Sequence, residues 1–163
     1  MDVKNLNLLG LIGLIGAIIV IGGVFMTWLA TDLLDYTISG WELYTEWTDV
    51  LDTKYTFLPL ADLIFGIVVF ALMMMPTFCN GDGFKRINNR IGLIVVIAAV
   101  VMLVISSLFI VKDIDVWRIT IHIGNHLKMG FWMTLIGIAL IIVGGFMPLA
   151  KNRLSITVKQ DNE

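Results

Sequence analysis

Few residues in this chain could do chemistry, and one of them lies where a charge is expensive. Asp62 falls near the start of an otherwise uncharged stretch, residues 58–79. An ionisable group inside a membrane span is costly and tends to mark an ion or proton path. Asp62 also has a plainer reading, as an acid in the first turn of a helix, where the helix dipole favours it and where Lys54 or Arg118 could pair with it. Ser106, in a later apolar stretch, is the hydroxyl that a transporter or channel component would use beside Asp62. The alternative for Ser106, Ser107 and Thr134 is a bond to their own helix backbones. Asp62 and Ser106 are the candidate intramembrane polar site.

A second group of residues suits recognition. The stretch from Trp41 to Asp49 mixes aromatics with acids, and Trp41, Glu42, Tyr44, Glu46 and Trp47, with Trp117 from a later segment, form the candidate partner-binding set. Exposed Trp and Tyr anchor protein interfaces. An acidic rim prefers a basic partner and speeds its approach in a salt-dependent way. The same aromatics could instead fill the core of a small sheet and line the membrane surface.

The remaining chemistry is mostly missing. Cys79 is the one cysteine, so no disulfide pair exists for redox work; it reads as a small boundary residue or an acylation site. His122 and His126 stand four apart, a metal-binding spacing only if that stretch is helical. The alternation around them argues against a helix, and solvated histidines are the simpler reading. Met73-Met74-Met75 points its thioethers in different directions and fills gaps or meets lipid. Gly81-Asp82-Gly83 reads as a turn followed by Lys85, Arg86 and Arg90, which suit anionic headgroups. No Ser-His-Asp order, zinc motif or paired intramembrane carboxylate is present. The sequence therefore predicts no catalytic residue, no metal site and no cofactor, and a protein that is not an enzyme.

The elements that must position these residues follow from composition. The chain has 163 residues, 58% hydrophobic and 15% charged, with a mean hydropathy of +0.92. Soluble domains are about 45–50% apolar and about 25% charged, so this pattern predicts an integral membrane protein. A net charge of −2 excludes a nucleic-acid binder. A span needs about 20 apolar residues. Four stretches qualify, predicting spans at 6–30, 58–79, 91–111 and 129–150, outer loops at 31–57 and 112–128, an inner loop at 80–90 and a tail at 151–163. The first is too long for a cleavable signal, whose apolar core is about 7–15 residues, and reads as a retained anchor. Lys4, Lys85, Arg86, Arg90, Lys151, Arg153 and Lys159 fall on one side, against Lys54, Lys112, Arg118 and Lys128 on the other. The positive-inside rule puts both termini in the cytoplasm.

Small residues recur every seven positions: Gly16 and Gly23; Gly92, Ala99 and Ser106; Gly130, Gly137 and Gly144. A seven-residue repeat keeps one stripe facing a partner in a left-handed supercoil, and small residues let backbones approach in lipid. The expected fold is an all-α membrane protein, a left-handed bundle of four transmembrane helices. Gly10, Gly13 and Ala17 form another small face, either ordinary membrane-helix composition or a contact for another chain. The outer segments predict strands at 36–44, at 54–57 and at 116–123, where Trp117, Ile119, Ile121 and Ile123 alternate with polar residues. A lone hairpin is marginal in water, so strands of both loops are expected to join in one small extracytoplasmic antiparallel sheet.

Trp28 near the end of the first span, followed by Gly40-Trp41-Glu42-Leu43 in the first outer loop, resembles the claudin-like tetraspan architecture. That family's pattern is a Trp followed by Gly-Leu-Trp and two cysteines. This chain inverts the order at Gly40-Trp41 and has no cysteine in its outer loops. It is also similar to small four-span membrane proteins of archaea and bacteria. The resemblance implies a four-span fold with an outer sheet and carries no catalytic residue. The function expected is interaction, with the membrane lipid and with another membrane or envelope protein or a second copy of the chain, as scaffold, accessory subunit or self-associating envelope protein. The alternative is a small oligomeric transporter or channel component built on Asp62.

Overall fold

Long, predominantly apolar stretches fold as helices because a helix pairs its backbone groups within the segment, and the computed structural model is mostly helical. It describes residues 8–31, 36–46, 56–78, 85–110, 113–116 and 119–160. In order, these form α1 (Leu8–Phe25), β1 (Thr27–Thr31), β2 (Tyr36–Ser39), α2 (Gly40–Thr45), α3 (Leu58–Phe78), α4 (Lys85–Ile110), β3 (Asp113–Val116), β4 (Ile119–His122), a 3-10 turn at Ile123–His126, and α5 (Met129–Gln160). Among the described residues, two helices are long and apolar enough to cross a membrane: Arg86–Ile110 and Met129–Phe146. Gly10–Phe25 and Leu58–Met74 are apolar but shorter.

Helix boundaries depart from the sequence expectation for local reasons. The first helix stops at Phe25 rather than near residue 30. The Met26 N–H donates to the Gly23 carbonyl, tightening the last turn, and the Trp28 indole N–H donates to that same carbonyl at 2.9 Å. The chain then enters β1, whose Thr27 and Thr31 suit a strand. The fourth helix begins at Lys85, inside the expected inner loop. The fifth continues to Gln160, through most of the expected tail.

The expected single sheet is instead two separate two-stranded antiparallel ribbons, β1–β2 and β3–β4. Each strand pairs with its sequence neighbour, which costs less loop closure than pairing across the fold. One isolated bridge, Leu29 to Leu127, links the first ribbon to the approach to α5, and the Lys128 N–H donates to the Trp28 carbonyl at 2.8 Å. The expected strand at 36–44 ends at Ser39 and becomes α2. The expected strand at 116–123 is replaced by β3 and β4, which pair Asp113 with His122 and Val116 with Ile119. Of the strand expected at 54–57, Thr56 is helical and Phe57 lies in a turn, while Lys54 and Tyr55 lie outside the described residues.

The long helices pack as a chain of neighbours. α1 lies between α3 and α5, α5 between α1 and α4, and the α3–α4 contact is the least extensive of these pairings. The seven-residue glycine stripe is what joins α1 to α5. A Cβ on Gly16 would stand 2.7 Å from the Gly137 carbonyl oxygen, and one on Gly137 would meet the Gly16 carbonyl at the same distance. The face of Gly10, Gly13 and Ala17 is not spare: Met73 of α3 packs on Gly13, and Gly66 of α3 lies near the Ala17 carbonyl.

Two apolar clusters fill the interior. The one far from the ribbons draws on all four long helices, with Leu14, Ala17 and Val20, Phe65, Val69 and Met73, Val95 and Ala99, and Ile138 and Ile141. The one beside the ribbons contains Val24, Trp28, Leu29, Ile38, Leu43, Leu58, Phe109 and Phe131. Each long helix also turns large apolar residues outward, among them Ile18, Ile67, Leu108 and Ile136, each more than half exposed.

Candidate functional site

The ribbon end is organised by Trp28. The β1–β2 pairing is irregular between Thr27 and Leu29, and such a bulge re-aims one side chain. Here the indole turns inward and is fully buried. It meets Phe131 edge-on at 5.3 Å and Phe109 at 6.2 Å between ring centroids, while Phe109 and Phe131 lie 5.8 Å apart. Aromatic pairs at such separations favour edge-on geometry. Sequence reasoning treated Trp28 as a boundary and resemblance marker and missed its place at the centre of this cluster.

α2 carries part of the candidate recognition set. Ser39 is its N-cap: the Glu42 N–H donates to the Ser39 hydroxyl at 3.2 Å, and the Ser39 N–H donates to the Glu42 carboxylate at 2.8 Å. This reciprocal capping box satisfies helix-end donors that otherwise lack partners. The Ser39 N–H, and then its hydroxyl, hold the Glu42 carboxyl below its ordinary value. Glu42 is thus engaged in holding α2, rather than free for a partner. Gly40 is buried where a side chain would strike the Trp28 ring and the Val24 carbonyl. Leu43 is buried beneath the helix.

Trp41 is left on the outside, 38% exposed. Its ring lies 5.9 Å from both Phe25 and Tyr44. Glu46 is exposed at the end of α2. Trp41, Tyr44 and Glu46 therefore share one short capped element. Trp47 lies outside the described residues, and so does Trp117.

The polar pair is brought together. Asp62 and Ser106 are both fully buried, and Ser106 is the side chain that interacts with the Asp62 carboxyl. No hydrogen bond of good geometry closes between them: both Asp62 carboxylate oxygens and the Ser106 hydroxyl lack a hydrogen-bond partner among the described residues. Lys54 and Arg118, the expected partners of Asp62, lie outside those residues. Asp62 sits between Leu58 and Phe65 on α3, and Ser106 between Ala99 and Phe109 on α4; Leu58 and Phe109 belong to the ribbon-end cluster, Phe65 and Ala99 to the other. Thr134 on α5 likewise falls between a residue of each cluster, Phe131 and Ile138. It is fully buried, and its hydroxyl donates to the Gly130 carbonyl at 3.1 Å. A polar layer thus lies between two apolar ones. Sequence reasoning named Asp62 and Ser106 and took Thr134 only as a self-satisfied residue.

The other candidates do not gather into a site. The described residues hold no group of three or more His, Cys, Asp or Glu side chains placed to share a metal. The His126 Nδ1 lies 3.2 Å from the Ala30 carbonyl, tying the 3-10 turn to β1. Met73 is buried in the core and Met74 is exposed, as divergent directions on a helix require. Cys79 lies outside the described residues. Comparison with models of known families, with curated proteins and with solved structures returns no match to this chain.

Proposed function

We propose that this chain is an integral membrane protein that crosses the bilayer four times, with both termini in the cytoplasm, and acts without catalysis by associating with another membrane protein or with itself at its ribbon end. The proposed architecture is a claudin-like bundle under an extracytoplasmic β cap. The outward apolar residues on all four long helices support immersion in lipid, because a soluble monomer rarely exposes large apolar patches.

The observation that carries the association reading is Trp41. A large aromatic is kept exposed on a helix fixed by its own cap, beside Tyr44 and Glu46. Anchors of this type carry about 2 kcal/mol or more at an interface, and a pre-organised element has less entropy to lose on binding. Native mass spectrometry of the protein released gently from its own membrane tests it. The expected result is a defined assembly that Trp41→Ala dissociates while the helical circular dichroism stays unchanged. An assembly indifferent to Trp41→Ala, or a bare monomer from the native membrane, sinks the reading.

The buried pair favours a second reading, a small oligomeric transporter or channel component. Cation flux into liposomes that Asp62→Asn abolishes would establish it. Absence of flux in the parent protein would remove it.

A further inference from the structure

We infer that Asp62 and Ser106 form a binding site for one small monovalent cation of the alkali class. The inference goes beyond association at the ribbon end. It deepens the second reading, yet binding does not require flux.

The reasoning begins with charge. A carboxylate taken fully out of water is strongly disfavoured unless an opposite charge or several hydrogen bonds accompany it. Asp62 is fully buried, and neither oxygen has a hydrogen-bond partner among the described residues. The Ser106 hydroxyl interacts with this carboxyl but closes no hydrogen bond of good geometry with any described residue. Two carboxylate oxygens and a hydroxyl are hard donors, the kind that bind alkali and alkaline-earth cations rather than soft transition metals. One carboxylate supplies one negative charge. Burial and Ser106 are the influences on this carboxyl, with no second charged side chain among them, so the complementary occupant carries one positive charge, not two.

Position supports the same assignment. The pair bridges α3 and α4, which make the least extensive contact of the neighbouring helix pairs. Leu58 and Phe109, about one turn nearer the ribbons, close the layer on that side. Phe65, about one turn away on α3, and Ala99, about two turns away on α4, belong to the apolar cluster on the other side. A cation between these apolar layers would be shielded from water, which strengthens its attraction to a carboxylate.

A proton is the rival occupant, since it would also neutralise Asp62. The full chain in detergent micelles separates the two. Its thermal midpoint would be measured in sodium or potassium chloride and in choline chloride at equal ionic strength, with 23Na line widths as an independent readout of binding. The expected result is a saturable rise of a few degrees in an alkali chloride over choline, following mass action. Asp62→Asn abolishes the rise and any sodium line broadening, and Ser106→Ala weakens the apparent affinity. Asn is nearly isosteric and uncharged, so the variant is expected to fold; wild-type line widths report binding even if it does not. Equal midpoints in all three salts, with no sodium broadening, overturn the inference. So does a protonated-carboxyl infrared band that is insensitive to alkali salt and lost in Asp62→Asn. Asp62-dependent binding without liposome flux would keep the site and dismiss the transporter reading.

Discussion

The α1–α5 and α3–α4 contacts solve the same problem with opposite materials. Along α1–α5, glycines face backbone: Gly16 and Gly137 each approach the other's carbonyl, Gly23 meets Gly130 and Thr134, and Gly130 meets the Met26 backbone. Along α3–α4, a carboxyl and a hydroxyl face each other at one end, and the packing is sparser. Close backbone approach gives dispersion contacts that lipid tails cannot supply. A buried polar pair instead lowers packing and adds an unmet electrostatic demand. The tight contact is built from backbone; the loose one carries the buried polar pair.

The largest effect is expected where the two contacts converge. Trp28 touches Phe109 of α4 and Phe131 of α5, and its indole N–H is bonded to Gly23 of α1. Trp28→Ala removes a fully buried ring, and such truncations cost about 3–5 kcal/mol. Thermal unfolding followed by circular dichroism measures the loss. A change well below this range would mean that the ribbon end does not depend on the aromatic cluster.

The next test sets the contacts directly against each other. Gly137→Val places a branched side chain against the Gly16 carbonyl and Val20, and overpacking of this sort costs about 1–3 kcal/mol. Ser106→Ala in the loose contact removes a hydroxyl that makes no hydrogen bond among the described residues. Measured in choline chloride, it is expected to change stability by less than about 0.5 kcal/mol. Equal costs for the two would erase the distinction between the contacts.

What the sequence made legible was periodic. The seven-residue small stripes marked residues through which α1 and α5 approach, though not that these two helices are partners, because backbone approach depends on residue size and helical spacing. Asp62 and Ser106 could be paired because polar residues are scarce in these stretches and therefore conspicuous. The third dimension was less accessible. That Thr134 falls between the same two clusters depends on how far three helices are shifted along one another, which spacing within one helix does not encode. The ribbons failed for another reason: alternation marks a strand but not its partner, so pairing across loops and pairing within each loop look alike. The transition from β2 to α2, by contrast, was written in Ser39-Gly40-Trp41-Glu42. Its Ser and Glu have the three-residue spacing of a capping box, and attention to the aromatic and β-branched residues on either side hid it.

That box gives the smallest destabilisation expected outside the loose contact, and a sharp one. It bears on the outer surface rather than on either helix contact, so disturbing it should leave both contacts intact. Ser39→Ala removes the cap and costs about 0.5–2 kcal/mol of local helix stability. The Glu42 arm adds a pH dependence whose sign is fixed. Its carboxyl is held below the ordinary value of 4.5 by the bonds from Ser39. A depressed carboxyl contributes stability that is present above the ordinary value and lost as pH falls through the lower, folded one. α2 should therefore stay ordered at neutral pH and loosen under acid, releasing Trp41 from Phe25 and Tyr44 while the buried aromatic cluster stays in place. Amide chemical shifts of α2 during an acid titration measure this, with Glu42→Gln as the control. An acid-dependent shift that survives in Glu42→Gln would assign the loosening to another group, and one that also reaches the Trp28 indole would show that the surface helix and the buried cluster are not separable.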